Sequence, residues 1–254
     1  FDTLNWNSDV TRGADKALFF NGSNSEVVLG DFGPMPPKGC IEFWMKTNSI
    51  SGQRGIVSTS GLNSNWKGIN IYQNNNYIYL RFGNDFGNYY ATYAIAENAD
   101  AGHWHHVAVT WDITQNKVWT YFDGNMSTNG SYNSYWPSAI TDVRFGVGYN
   151  ATSRFYGEMD EVRMWSEYRT AIEIANLYQE PYIATLPELL GIWEFNEPAG
   201  GTAFSVDHCK NGILFNVSRV VSGADINRIG INVTPESGSL TIGDSINVQI
   251  SFIT

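Results

Sequence analysis

Apolar and polar residues alternate in short runs along most of this chain. The runs include "KALFF" (16–20), "SEVVLG" (25–30), "CIEFWMKT" (40–47), "GIVSTS" (55–60), "GINIYQ" (68–73), "YIYLRFG" (77–83) and "YYATYAI" (89–95). The pattern continues with "HWHHVAVTWD" (103–112), "KVWTYFDG" (117–124), "DVRFGVG" (142–148), "GEMDEVRMW" (157–165), "LLGIWEFN" (189–196) and "GILFNV" (212–217). Clusters of Gly, Asn, Asp and Ser separate them. A period of two between turn residues predicts half-buried strands. A dozen or so short strands with almost no helix predict an all-β fold, a two-sheet antiparallel sandwich. In the middle of the chain Ile69, Ile71, Ile78, Leu80 and Phe82 take the core side. Tyr72, Tyr77, Tyr79 and Arg81 take the other.

One segment has a helical period. In "RTAIEIANLYQ" (169–179), Thr170 and Glu173 have capping-box spacing, and Ile174, Leu177 and Tyr178 form one apolar stripe. Prolines at 181 and 187 end it. Residues 222–254 read differently, as strand-like alternation around a Pro-Glu-Ser-Gly turn. The division expected is a sandwich over 1–221, then a β-strand tail or the start of a following Ig-like domain over 222–254.

Composition narrows the function. The 254 residues carry 25 acidic and 15 basic side chains, a formal net charge of −10. The sequence has no basic run, so nucleic acid and anionic membrane are poor partners. It has no apolar stretch long enough for a transmembrane helix. Abundant Asn, Gly, Ser and Tyr suit ordered loops on an extracellular or cell-surface protein. Cys40 and Cys209 are too few for a disulfide scaffold; whether they pair is left open.

Three of the four histidines fall in "GHWHHVAVTWD" (102–112). On a strand, His103, His105, Val107, Val109 and Trp111 share one side, and Trp104, His106, Ala108 and Thr110 the other. Three imidazoles so placed cannot converge on one ion. His103 and His105 alone would need a third ligand elsewhere to hold zinc. Histidines bonded within a sandwich are the simpler reading.

The same stretch, followed by "VWTYFDG", resembles the core of laminin-G-like domains, of the concanavalin A-like lectin/glucanase and pentraxin group of jelly rolls. "ALFFNGSNSEVVL", "IEFWMKT", "YGEMDEVRMWSEYRTAIEIANLY" and "LLGIWEFNEPAGGTAFSVDHCKNGIL" are similar to further family segments in the expected order, covering about 17 to 214. The resemblance implies a jelly-roll fold and a structural role for Trp104 and His106. It also implies a structural calcium, held by Asp160, Asn21 and the carbonyl of Gly22. Asn21 departs from the family's aspartate. Alternation places Glu158 and Asp160 with Val162 and Met164, and a buried carboxylate needs a cation or several donors. Bonding to loop amides alone is the alternative for Asp160. The group also contains glycoside hydrolases with two glutamates on one strand. Here the second glutamate position holds Val162 or Arg163, so no catalytic residue is assigned.

The expected ligand surface is the non-core side of the central strands. Tyr72, Tyr77, Tyr79, Arg81 and Tyr90, with the loop tryptophans Trp66 and Trp136, offer rings to stack on sugars and groups to bond hydroxyls. Cross-strand tyrosines also stabilise sheets without a ligand. The function expected is non-catalytic recognition of a glycan or polysaccharide. Adhesion to a protein partner is the alternative.

Overall fold

The structure, a computed structural model, describes residues 3–7, 16–60, 67–85, 90–97, 99–131, 136–148, 150–179, 188–198, 200–205, 210–223, 230–234, 237–241 and 249–253. Strands are numbered along the chain. One antiparallel sheet has the order β12 (Asn125–Ser131), β11 (Lys117–Phe122), β10 (Trp104–Asp112), β5 (Lys38–Thr47), β15 (Tyr156–Trp165), β2 (Lys16–Asn21) and β19 (Ser218–Val221). In this first sheet β16 (Leu189–Trp193) pairs with the distal half of β15. The second sheet has the order β17 (Thr202–Ala203), β18 (Gly212–Phe215), β3 (Glu26–Gly30), β14 (Val143–Phe145), β6 (Gln53–Ser58), β7 (Gly68–Asn74), β8 (Tyr77–Gly83) and β9 (Tyr90–Ala96). The short strands β4 (Gly33–Pro34) and β13 (Ala139–Ile140) pair apart from both. In the tail, β20 (Gly230–Thr234) pairs with β22 (Gln249–Ile253), and β21 (Ser237–Thr241) pairs with β1 (Thr3–Asn7).

The core lies between the two large sheets. Phe43 and Met45 of β5, Val107, Val109 and Trp111 of β10, and Ile69, Ile71, Ile78, Leu80 and Phe82 of the second sheet are all buried in it. Each fully buried side chain of this size contributes about 1.5–3 kcal/mol. The alternation read from the sequence therefore places these side chains correctly.

β15 departs from that reading. Its pairing with β5 shifts between Asp160 and Arg163, and Glu161 has φ 49°. This β-bulge changes the phase of the strand. Met159 is in the core before it, and Val162 and Met164 are in the core after it. Glu158 and Asp160 thus lie opposite Lys46 and Trp44 on the outer face, not beside Val162 and Met164.

The strand β12, "NMSTNGS", has no apolar alternation to announce it. It forms because Asp123 (φ 49°) and Gly124 (φ 73°) make a tight turn after β11. Positive φ at both central residues matches the twist of a two-residue hairpin.

The helix α1 (Ala171–Gln179) packs on the outer face of the first sheet. Its capping box forms: Glu173 N donates to Thr170 Oγ1 at 3.3 Å, and Thr170 N donates to Glu173 Oε2 at 2.7 Å. Ile174 fills a second, smaller core with Cys40, Ala108, Tyr121 and Trp165. Tyr178 stacks on Trp44, with ring centroids 5.2 Å apart. No helix among the described residues is long and apolar enough to cross a membrane.

Candidate functional site

On the second sheet, β7 and β8 pair with Tyr72 opposite Tyr79, Asn70 opposite Arg81 and Asn74 opposite Tyr77. Directly paired residues share a face. The tyrosines stand outward as one stack, with Tyr72–Tyr79 centroids 5.5 Å apart and Tyr77–Tyr79 centroids 5.9 Å apart. Arg81 closes one end. Its guanidinium lies 5.4 Å from the centre of the Tyr72 ring and donates to the Tyr72 hydroxyl at 3.3 Å. Its Nε donates to Thr92 Oγ1 of β9 at 3.1 Å. Burial pushes the Tyr72 phenol above its ordinary pKa, with the nearby Arg81 charge opposing.

The stack is graded in depth. Tyr77 is 39% exposed and Tyr72 only 6%. The expectation of Tyr72 as an open contact is corrected: it is the base of the stack. Its cross-strand neighbour is Gly55, where a Cβ would lie 1.8 Å from the Gly148 nitrogen. Backbone therefore crosses close over this end of the sheet, and only glycine fits. Beside it, Ser58 and Asn70 are paired and buried, with Ser58 Oγ and Asn70 Oδ1 lacking partners. Asn70 Nδ2 donates to the Lys67 carbonyl at 2.9 Å. Asn70 and the Arg81-holding Thr92 were absent from the predicted site, although the alternation already put Asn70 on the tyrosine side.

Other predicted contacts fall elsewhere. Trp136 packs edge-on against the core residue Phe82, centroids 4.7 Å apart. It closes the end of the core rather than joining the tyrosine stack, a correction to its expected role. Trp66 and the side chain of Tyr90 lie outside the described residues, as does Cys209. A cleft of about 380 Å³ opens at the sandwich edge, lined by Ala94, Ile95, Ala96, Glu97, Phe122, Ser127 and Thr128. There the Ala94 carbonyl already accepts from Thr120 and Thr128.

The three residues expected to hold calcium are not brought together. Asn21 pairs with Tyr156, four residues before Asp160, a separation of about 13 Å along a strand. Asn21 Oδ1 is engaged by the amides of Ser23 and Asn24 at 2.9 and 3.1 Å. Asp160 is fully buried; it accepts from the Glu161 amide at 2.8 Å and from Ser222 Oγ at 2.6 Å. These donors satisfy the carboxylate without an ion, so the three residues do not fit a common calcium shell.

The histidines diverge as the alternation requires. His106 is fully buried beneath α1, its Nε2 3.4 Å from Glu42 Oε2. His105 Nδ1 meets Asp123 at 2.9 Å and Nε2 meets Asp100 at 2.8 Å. Asp100 also contacts His103 Nδ1 at 2.6 Å. Burial alone would lower the His105 pKa, but the two carboxylates prevail and raise it. Among the described residues no group of three or more His, Cys, Asp or Glu is arranged to hold a metal.

Residues 21–175 match the laminin G type of the concanavalin A-like lectin/glucanases superfamily. The chain belongs to that superfamily. Neuronal pentraxin-1 of Rattus norvegicus is 34% identical over 86 residues, 30% of this chain and 20% of that protein. The match thus spans about a fifth of the relative's length. Among solved structures, a candidate carbohydrate-binding protein of Bacteroides ovatus superimposes with TM-score 0.66 and 17% identity, over 84% of this chain and 61% of that one. The heptameric SAP-like pentraxin of Limulus polyphemus gives TM-score 0.57 and 14% identity, over 84% and 98%. The botulinum neurotoxin serotype D ligand-binding domain, solved with N-acetylneuraminic acid, gives 0.51 and 16%, over 70% and 46%. At these identities the likeness is one of fold. This superfamily fold is what holds the tyrosine stack rigid on a sheet.

Proposed function

We propose that this lectin-like domain is a non-catalytic carbohydrate-binding module of an extracellular or cell-surface protein, using the outer face of the second sheet. The observation that carries the reading is the stack of Tyr72, Tyr79 and Tyr77 ending at Arg81. Sugar rings present C–H faces that stack on aromatic rings, while hydroxyls bond to amides, phenols and guanidinium. Strands hold these groups in fixed positions, so little ordering is needed on binding. Two of the solved relatives support the reading: one is a candidate carbohydrate-binding protein, and the other holds a sialic acid. The non-catalytic part is supported by β15. Val162 is buried in the core and Arg163 is paired with Glu161 at 3.0 Å, where a second glutamate would have to stand.

Glycan-array binding tests the proposal. The wild type should bind at least one glycan class, and Tyr79→Ala should lose that binding at least tenfold while remaining folded. Wild-type binding that Tyr79→Ala leaves unchanged would move the site elsewhere. Adhesion to a protein is the second reading. It is favoured by exposed Ile213 and Phe215, two residues apart on β18 of the same sheet. Capture of a protein partner, lost in Ile213→Ser with no glycan bound, would favour it.

A further inference from the structure

His105 has a carboxylate at each end of its ring. Its Nδ1 lies 2.9 Å from Asp123 Oδ2, and its Nε2 lies 2.8 Å from Asp100 Oδ1. A carboxylate accepts hydrogen bonds and donates none. A neutral imidazole has one N–H and one lone pair, so it can serve only one of the two. Both contacts together need the imidazolium, which donates from both nitrogens.

The two carboxylates belong to different turns. Asp100 lies in the crossover from β9 to β10, which carries the chain from the second sheet to the first. Asp123 lies in the hairpin turn between β11 and β12. The edge cleft opens beside both, with Ala94 to Glu97 on one side and Phe122, Ser127 and Thr128 on the other. Phe122 is stacked on His105 with ring centres 4.6 Å apart, so the imidazole backs a wall of this cleft.

The turns are held unequally. Asp123 Oδ1 also accepts from the His106 amide at 2.9 Å, and the Asp123 amide donates to the His106 carbonyl at 2.9 Å. The Asp100 side chain is 59% exposed, and its other partner is the exposed His103, Nδ1 at 2.6 Å. Two amides pin the crossover backbone. Ala99 N donates to the Asn76 carbonyl at 2.9 Å, and Gly102 N donates to the Thr47 carbonyl at 2.8 Å. The other ionisable groups nearby are engaged elsewhere or stand apart. On β5, Met45 faces His105, and Lys46 meets Glu158 at 2.8 Å. On β10, His106 turns to Glu42. Glu97, at the end of β9, is exposed across the cleft.

We propose that His105 is a proton-operated clasp: as imidazolium it ties the crossover to the hairpin turn, and on losing a proton it keeps Asp123 and releases Asp100. The remaining N–H stays on Nδ1, because the His106 backbone fixes Asp123 in front of it. The bare lone pair of Nε2 then faces the Asp100 carboxylate, and this contact opens. Gly102, at φ 87°, lets the crossover turn outward without side-chain strain. Burial opposes the charge on His105, but Asp123 and Asp100 outweigh it and hold the pKa above the ordinary 6.5. The clasp is therefore closed below pH 6.5 and opens as pH rises through the folded value. Opening loosens the cleft end of the sandwich.

NMR and amide exchange of the full chain, from about pH 5.5 to 9, test the clasp. Below the midpoint both ring N–H protons of His105 should be seen, and above it only the one on Nδ1. After correction for intrinsic exchange, the Ala99 and Gly102 amides should exchange about three- to fivefold faster above the midpoint, the size expected of one exposed ion pair. The Asp123 amide should keep its protection. His105→Gln should remove the step, and Asp100→Asn should move the imidazole midpoint down. His103→Gln should leave step and midpoint in place. A single ring N–H at pH 5.5, or an exchange profile without a step in the wild type, would overturn the clasp. So would a step that survives in His105→Gln. The wild-type measurements need no variant, so a folding defect in a variant does not blunt the test.

Discussion

The outer faces of the two sheets are built from similar residues and end in opposite states. On the first sheet Trp44, His106, Glu42, Arg163 and Trp165 lie under or beside α1. Trp165 Nε1 donates to Glu42 Oε1 at 3.0 Å, Arg163 pairs with Glu161, and Arg169 covers the Trp165 ring at 3.9 Å. Every large group there meets another group of the same chain. On the second sheet the tyrosines and Arg81 form an equally ordered row, but no helix among the described residues is packed over them, and Tyr77 is 39% exposed. The comparison teaches that aromatic and charged residues on a sheet face do not by themselves mark a ligand site. What distinguishes the faces is whether the chain supplies its own cover.

This contrast predicts where substitutions act. On the covered face they should damage the fold. Glu42→Ala leaves the buried His106 without its carboxylate and leaves Arg163 with Glu161 alone, and should cost about 3–5 kcal/mol in denaturant unfolding. The same carboxylate sets an acid limit. Burial works against its charge, but His106, Arg163 and the Trp165 indole hold its pKa below the ordinary 4.5. Its contribution is therefore full above pH 4.5 and is lost as pH falls through the lower folded value. An unfolding series from pH 6 to 3 checks this; an unchanged acid limb in Glu42→Gln would dissociate the effect from this residue. Ile174→Ala, which removes the helix anchor from the small core, should cost about 2–4 kcal/mol. It should also raise the reactivity of Cys40, whose thiol burial holds well above its ordinary pKa. A native thiol assay reads that change.

On the uncovered face the expected damage to the fold is smaller. Tyr79→Ala removes two stacked contacts, each worth about 0.5–1.5 kcal/mol, and should lower stability by only about 1–3 kcal/mol. If it unfolded the protein as Glu42→Ala should, the tyrosine row would be structural and the comparison would fail. The smallest effect concerns His105, beside neither face's centre. Its raised folded pKa means its contribution is full below pH 6.5 and fades as pH rises through the folded value. His105→Gln should flatten that alkaline-side loss, and an NMR titration of the imidazole should show a midpoint above 6.5.

Much of the fold was legible because a period of two identifies strands and their sides. The thirteen runs read from the sequence all contain observed strands, and the Thr170–Glu173 spacing marked the helix start. Polar β12 was not legible, since its pairing depends on the Asp123–Gly124 turn rather than on its own pattern. The tyrosine row was legible for the same reason as the strands. Its depth was not, because Gly55, the cross-strand neighbour of Tyr72, lies against Gly148, which is remote in sequence. Trp136 was misread because an aromatic residue beyond a strand carries no sign of whether it turns inward. Asn21 and Asp160 were carried over from a resemblance, and pairing register, which no single sequence states, separates them.

The bulge at Glu161 carries one more consequence. A single residue spent out of phase lets the same strand show carboxylates to solvent-side partners early and an arginine to them later, with hydrophobic side chains inward throughout. Straightening the strand with Glu161 retained would invert everything downstream, driving Arg163 toward the sandwich interior and Met164 out from it, whereas deleting Glu161 would remove the bulge and leave each side chain on its present side. Loss of residue 161 should therefore be better tolerated than a one-residue insertion or deletion anywhere else in β15.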